Sequence, residues 1–126
     1  MPNGRLEHAN LTVSDPERSA ALLEKLCGWR ERWRGSAQLG GWTIHCGNEH
    51  TYVALWTDGK GTKDTKHFEK GVPLNHVGLM VDDLEAAEQV VQQAGLQPFN
   101  HADYEPGRRF YFFDWDHIEW EILSYE

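Results

Sequence analysis

His8 and His76 stand at the same point of two similar segments, Leu6-Glu7-His8-Ala9-Asn10-Leu11-Thr12-Val13 and Leu74-Asn75-His76-Val77-Gly78-Leu79-Met80-Val81. Near the end of the chain Glu121 interrupts an apolar run, Ile118 to Ser124, where a carboxylate is costly to bury without a partner. Two imidazoles and one carboxylate form a donor set for a first-row divalent ion. On an octahedral ion they leave about three positions open to substrate, oxygen or water. A lone strand histidine is ordinarily a structural residue, and Glu121 alone could pair with an arginine. The equivalence of the two histidines, together with Glu121, favours a metal site.

His8, His76 and Glu121 are far apart in sequence, so each comes from a different strand. Leu6 to Val13 alternates as a strand does, with His8, Asn10 and Thr12 on one face and Ala9, Leu11 and Val13 on the other. Ser14-Asp15-Pro16-Glu17 then supplies a cap, a proline suited to the first helical turn and an acid at the positive helix end. Ala20, Leu23, Leu26 and Cys27 recur at helical spacing until Gly28 stops the helix. Three strands are predicted next, at Trp29 to Trp33, Trp42 to Cys46 and Tyr52 to Thr57. The second half repeats the order, with a strand from Leu74 to Val81, Asp82-Asp83 as cap, a helix through Ala86, Ala87, Val90 and Val91, and Gly95 as stop. Strands at Gln97 to His101, Arg109 to Asp114 and Ile118 to Ser124 complete it. The shift that superposes His8 on His76 also superposes Asp15 on Asp83, so the repeat holds across strand and cap. These patterns predict an α+β chain of two βαβββ modules, residues 5–57 and 73–125, joined by a linker over 58–72.

The 126 residues suffice for one compact domain, whereas halves of roughly 55 residues would each be marginal alone. A hydrophobic fraction of 40% with six Trp, four Tyr and five Phe indicates a folded chain. The formal net charge of −8 excludes a nucleic-acid partner, since no basic face is present to displace counterions. Lys60, Lys63, Lys66 and Lys70 cluster among glycines and acids and read as a solvated linker. No apolar run approaches the length of a bilayer, and Cys27 and Cys46 have neither paired nor metal-type spacing. The expectation is a reduced, cytoplasmic protein with no membrane partner.

The turn and strand Asp114-Trp115-Asp116-His117-Ile118-Glu119-Trp120-Glu121-Ile122 resembles the ending of the vicinal oxygen chelate superfamily, in which an Asp-Pro-Asp-Gly turn precedes a strand bearing a ligand glutamate. That group contains glyoxalase I, fosfomycin-resistance thiol transferases, extradiol dioxygenases and bleomycin-resistance proteins. The resemblance runs from Leu6 to Tyr125, with Trp115 and His117 in place of the turn's proline and glycine. It implies a glyoxalase-like fold with a cupped mixed sheet, a homodimer, a small-molecule substrate and one divalent transition metal per site (Fe, Mn, Ni or Zn). It also implies His8, His76 and Glu121, rather than Glu119, as the ligands. A fourth ligand of the glyoxalase I type would fall near Val53 or Ala54, where Tyr52 to Trp56 holds no acid or histidine. Thr12 occupies the position of a glutathione-binding arginine in many glyoxalase I enzymes. Both departures favour the three-ligand branches.

Those branches carry a tyrosine at the spacing of Tyr111, ten residues before Glu121. Its hydroxyl is the expected donor to a substrate oxygen, and the alternative for it is groove lining. The acid/base histidine of an extradiol mechanism is expected at His67, with His45 and His50 as further candidates. Asn10, Arg108 and Arg109 are the expected substrate contacts. The leading expectation is a metal-dependent enzyme of extradiol-dioxygenase-like chemistry, ahead of glyoxalase-like lyase or fosfomycin-type thiol-transferase chemistry. The competing class is a drug-sequestering binder of the bleomycin-resistance type.

Overall fold

The computed structural model describes residues 2–37, 40–59, 70–104 and 107–125. His67 and most of the lysine-bearing linker lie outside the described residues. The chain divides into two compact units, Met1–Glu24 with Gly28–Lys63, and Asp64–Glu126 with Lys25–Cys27. Among the described residues no helix is long and apolar enough to cross a membrane.

The first unit holds β1 (His8–Thr12), all but the last three residues of α1 (Pro16–Cys27), β2 (Arg30–Ser36), β3 (Trp42–Gly47) and β4 (Tyr52–Thr57). Its sheet runs β1-β4-β3-β2, with β1 parallel to β4 and the other pairs antiparallel. Asp15 caps α1 by accepting from the Arg18 N–H at 3.1 Å, and Pro16 fills the first helical position, where a missing N–H costs nothing. Gly28 ends the helix at φ 68°, its N–H donating to the Glu24 carbonyl at 2.9 Å. Leu11, Ile44, Cys46, Val53 and Leu55 are buried together with Ala20, Leu22 and Leu23 of α1. The Cys46 thiol reaches the Ala20 carbonyl at 3.9 Å, which places α1 on this face of the sheet. The opposite face carries His8, Asn10, Thr12, Thr43, His45, Tyr52 and Trp56 by strand alternation.

The second unit repeats the plan with β5 (Val77–Met80), α2 (Leu84–Gln93), β6 (Phe99–Tyr104), β7 (Gly107–Phe113) and β8 (Glu119–Ser124), ordered β5-β8-β7-β6. The chain is therefore α+β, with two mixed four-stranded sheets and a tandem βαβββ order, as its sequence indicates. Leu79, Phe110, Phe112, Trp120 and Ile122 are buried with Leu84, Ala87 and Val91 of α2. Several boundaries differ from expectation, and β2 and β6 each run three residues past their expected ends. β5 begins only at Val77, leaving His76 just ahead of the strand, and β6 begins after Pro98, which has no N–H to give a ladder. The pairing of β6 then shifts between Phe99 and Ala102, where Asn100 adopts φ 58°, a conformation that asparagine tolerates.

The imperfect turn before β8 is held by a single carboxylate. Asp114 Oδ1 accepts from the backbone N–H groups of Asp116 at 2.8 Å and Ile118 at 3.0 Å, and Oδ2 accepts from the Trp120 indole at 2.9 Å. His117, standing where the resembled turn has glycine, takes φ 65°. Burial raises the Asp114 pKa, and the three hydrogen bonds oppose that rise. Asp114→Ala should cost about 2 kcal/mol at neutral pH, because it strands buried donors. Since the folded-state pKa lies above the unfolded one, Asp114 contributes most in acid and less as pH rises through the folded value. Urea unfolding of both proteins across pH should show a cost that shrinks toward neutrality.

Candidate functional site

Parallel pairing of β5 with β8 sets Gly78 opposite Glu121, and antiparallel pairing of β7 with β8 sets Tyr111 on its other side. Alternation along β7 and β8 then puts Arg109, Tyr111 and Phe113 on one face with Glu119, Glu121 and Leu123, away from α2. A Cβ at position 78 would meet only Leu123, at 4.0 Å. No β5 side chain therefore covers Glu121, and the His76 ring reaches it.

Glu121 is 8% exposed, and each of its oxygens has one partner. Oε2 accepts from Arg109 Nη1 at 2.7 Å, and Oε1 lies 2.9 Å from His76 Nε2. Arg109 is held in turn by the Gly107 carbonyl at 3.2 Å and by the Tyr104 ring, 4.5 Å beneath its guanidinium. The other nitrogen of His76 fixes the tautomer. Nδ1 lies 2.7 Å from Asn75 Oδ1, which also accepts from Lys70 Nζ at 2.9 Å. An ammonium only donates, so that atom is the amide oxygen and Nδ1 donates to it. The lone pair of Nε2 then faces a carboxylate oxygen, and two acceptors at this distance require a proton or a cation between them. Donors about 2.1 Å from one ion and at right angles to each other stand about 3.0 Å apart. The pair thus fits adjacent positions on a divalent ion.

In the first unit, His8 Nδ1 is engaged by Glu7, the residue before it, as Asn75 engages His76. In both rings Nδ1 is thus the nitrogen engaged by the preceding residue. His8 stacks on Tyr52 at 4.9 Å, Tyr52 on His45 at 4.5 Å, and His45 meets Trp33 at 5.0 Å. Burial, with the charges of His8 and Arg32 adding to it, lowers the His45 pKa, so its ring is neutral at neutral pH. Among the described residues no three His, Cys, Asp or Glu side chains form one cluster. The second unit supplies two donors, and His8 holds the equivalent position in the first.

The remaining candidates separate cleanly. Tyr111 lies edge-on to His76 at 5.9 Å, and burial followed by the Glu121 charge raises its pKa, keeping the hydroxyl a donor. Arg108 and Arg109 are neighbours on a strand and so point to opposite faces. Arg109 goes to Glu121, while Arg108 pairs with Glu85 of α2. Asn10 lies on the first unit's helix-free face with His8. His50 is exposed beside Glu49, His101 pairs with Glu88, and His117 serves the turn. Sequence reading missed Asn75, and it offered Glu121 an arginine partner without identifying Arg109. The first had a signal, a polar residue before each repeated histidine. The second had a fainter one, since Arg109 and Glu121 occupy same-face positions on neighbouring strands.

The family model described as Glyoxalase/Bleomycin resistance protein/Dioxygenase superfamily matches residues 5–122. The fold is similar to that of a glyoxylase/bleomycin resistance protein/dioxygenase domain from Frankia sp. EAN1pec, with TM-score 0.80 and 23% identity over 98% of each chain. It is also similar to the fosfomycin resistance protein FosX from Listeria monocytogenes in a complex with Mn(II) and sulfate ion, with TM-score 0.72 and 15% identity over 98% of this chain and 93% of that one. Trypanothione-dependent glyoxalase I from Leishmania major gives TM-score 0.77 and 16% identity over 98% of this chain and 88% of that one. A comparison with curated protein sequences found no match.

Arg109→Met should destabilise the protein by about 3 kcal/mol, because it leaves the Glu121 carboxylate buried without its cation. In Arg109→Met/Glu121→Gln much of that loss should return. Urea unfolding of the two variants checks it, and equal losses would exclude the pairing.

Proposed function

The chain belongs to the Glyoxalase/Bleomycin resistance protein/Dioxygenase superfamily, and from that premise we propose that it is a divalent-metal-dependent enzyme acting on a small oxygen-rich substrate. His76 and Glu121 hold the ion, and His8 completes the set, from the same chain or from a second copy in a homodimer. The observation that carries this reading is the 2.9 Å approach of His76 Nε2 to Glu121 Oε1 while Nδ1 is already committed to Asn75. A bound divalent ion supplies Lewis acidity toward two substrate oxygens, or a centre for oxygen; iron, manganese, nickel and zinc all suit the donors.

The chain's own groups divide the remaining work. Asn75 fixes the His76 tautomer, and Arg109 holds Oε2 so that Oε1 faces the imidazole. Tyr111 donates from its hydroxyl to a substrate oxygen as negative charge develops there. Phosphonate chemistry would call for free cations beside Tyr111, yet Arg109 is committed to Glu121 and Arg108 to Glu85. That commitment supports extradiol-dioxygenase-like chemistry over fosfomycin-type thiol transfer. The missing first-half acid, with the uncharged Tyr52 to Trp56 strand in its place, supports it over a glyoxalase-like lyase. His67 remains the proposed acid/base group of that chemistry. A second reading, a drug-sequestering binder of the bleomycin-resistance type, draws support from the ring ladder of His8, Tyr52, His45 and Trp33.

Purified protein should contain an equimolar transition ion by elemental analysis, and His8→Ala, His76→Ala and Glu121→Ala should each lose it while keeping their circular dichroism. Metal-free protein indifferent to all three changes would sink the enzyme reading and leave the binder.

A further inference from the structure

Two acids of β8, Glu119 and Glu121, stand on the same face, and the second is the one that meets His76. Glu119 is 8% exposed. A carboxylate buried to that degree needs a partner, and among the described residues its cation is Lys70, with Nζ 3.6 Å from Oε2. Lys70 reads in the sequence as one of four solvated linker lysines, yet its ammonium also donates to Asn75 Oδ1 at 2.9 Å. The turn that brings Lys70 to Asn75 is closed by the Gly71 N–H donating to the Leu74 carbonyl at 2.8 Å, with Gly71 at φ 93°. Glu119, Lys70, Asn75 and His76 thus form one chain of contacts that ends at Glu121.

This chain opposes a local tendency. A neutral imidazole carries one proton, and the Glu121 carboxylate, 2.9 Å from Nε2, draws it to that nitrogen. A primary amide can answer either tautomer, because turning it over exchanges its oxygen for its NH2 group. With the NH2 group against Nδ1, the ring settles with its proton on Nε2, and that nitrogen has no lone pair left for a metal. Turning the Asn75 amide over would also set its NH2 group against the Lys70 ammonium, donor against donor. Lys70 therefore holds Oδ1 toward Nδ1, and an oxygen there requires the proton on Nδ1. Glu119 holds the ammonium within reach of that oxygen.

We propose that Lys70, anchored by Glu119, is a positioning residue that locks the Asn75 amide and thereby keeps the proton of the neutral His76 ring off Nε2. The proposal rests on the reading of His76 and Glu121 as metal ligands, and it assigns work to two side chains outside that set.

The test compares the full-length wild-type, Lys70→Met, Glu119→Gln and Lys70→Met/Glu119→Gln proteins, by zinc competition against a chromogenic chelator and by histidine nitrogen NMR of the metal-free forms at alkaline pH, where the ring is neutral. In the wild-type protein the His76 proton should reside on Nδ1, and in Lys70→Met it should move toward Nε2. Zinc binding should weaken about tenfold in Lys70→Met, the scale of losing an orienting contact behind a metal ligand. Charge alone predicts the reverse, since removing a cation beside a cation site tightens binding. Glu119→Gln should weaken zinc binding while Lys70 is present and add nothing once it is gone. The double variant leaves no carboxylate at position 119 to be buried unpaired, so a loss it shares with Lys70→Met is not a folding defect. Asn75→Asp supplies a side chain with no donor to turn inward, and in that background Lys70→Met should no longer weaken binding. Tighter or unchanged zinc affinity in Lys70→Met, or a His76 proton that Lys70→Met leaves unmoved, would overturn the proposal. A tautomer shift in protein that takes up no zinc would support the lock and overturn the metal reading, whereas zinc binding with an unmoved tautomer would do the opposite.

Discussion

The second unit is organised around one problem, a carboxylate at position 121 that is 8% exposed inside a strand of apolar neighbours. A buried charge survives only if its oxygens are matched, and here each is matched by a different chemistry. Arg109 gives Oε2 a permanent cation, and His76 gives Oε1 an imidazole nitrogen at 2.9 Å. Much of the local architecture follows from that division. Gly78 leaves open space beside Glu121, Tyr104 supports the guanidinium, and Asn75 with Lys70 fixes the imidazole.

The first unit answers no such charge. Its equivalent face carries the stacked rings of His8, Tyr52 and His45, with the Arg32 guanidinium 4.6 Å over Tyr52. The common inheritance shows in the orienting contact that precedes each histidine, Glu7 for His8 and Asn75 for His76.

The fold was legible because its signals are local and repeated. Asp15 and Asp83 cap both helices, Gly28 takes the left-handed stop, and the strand alternation that groups His8, Asn10 and Thr12 is kept. The boundaries of β5 and β6 were less legible, since they depend on how Asn75, His76 and Pro98 spend their backbone and side-chain groups. In the second unit the pairing of the side chains was not legible. Arg108 and Arg109 read as two equivalent cations, and only strand direction shows that one serves α2 and the other Glu121.

Histidine side-chain nitrogen NMR of metal-stripped protein, before and after one equivalent of zinc, tests the central claim most directly. Nε2 of His76 should move to a metal-bound shift while Nδ1 keeps its proton and its bond to Asn75. An Nε2 that stays protonated against Glu121 after zinc is added would contradict it.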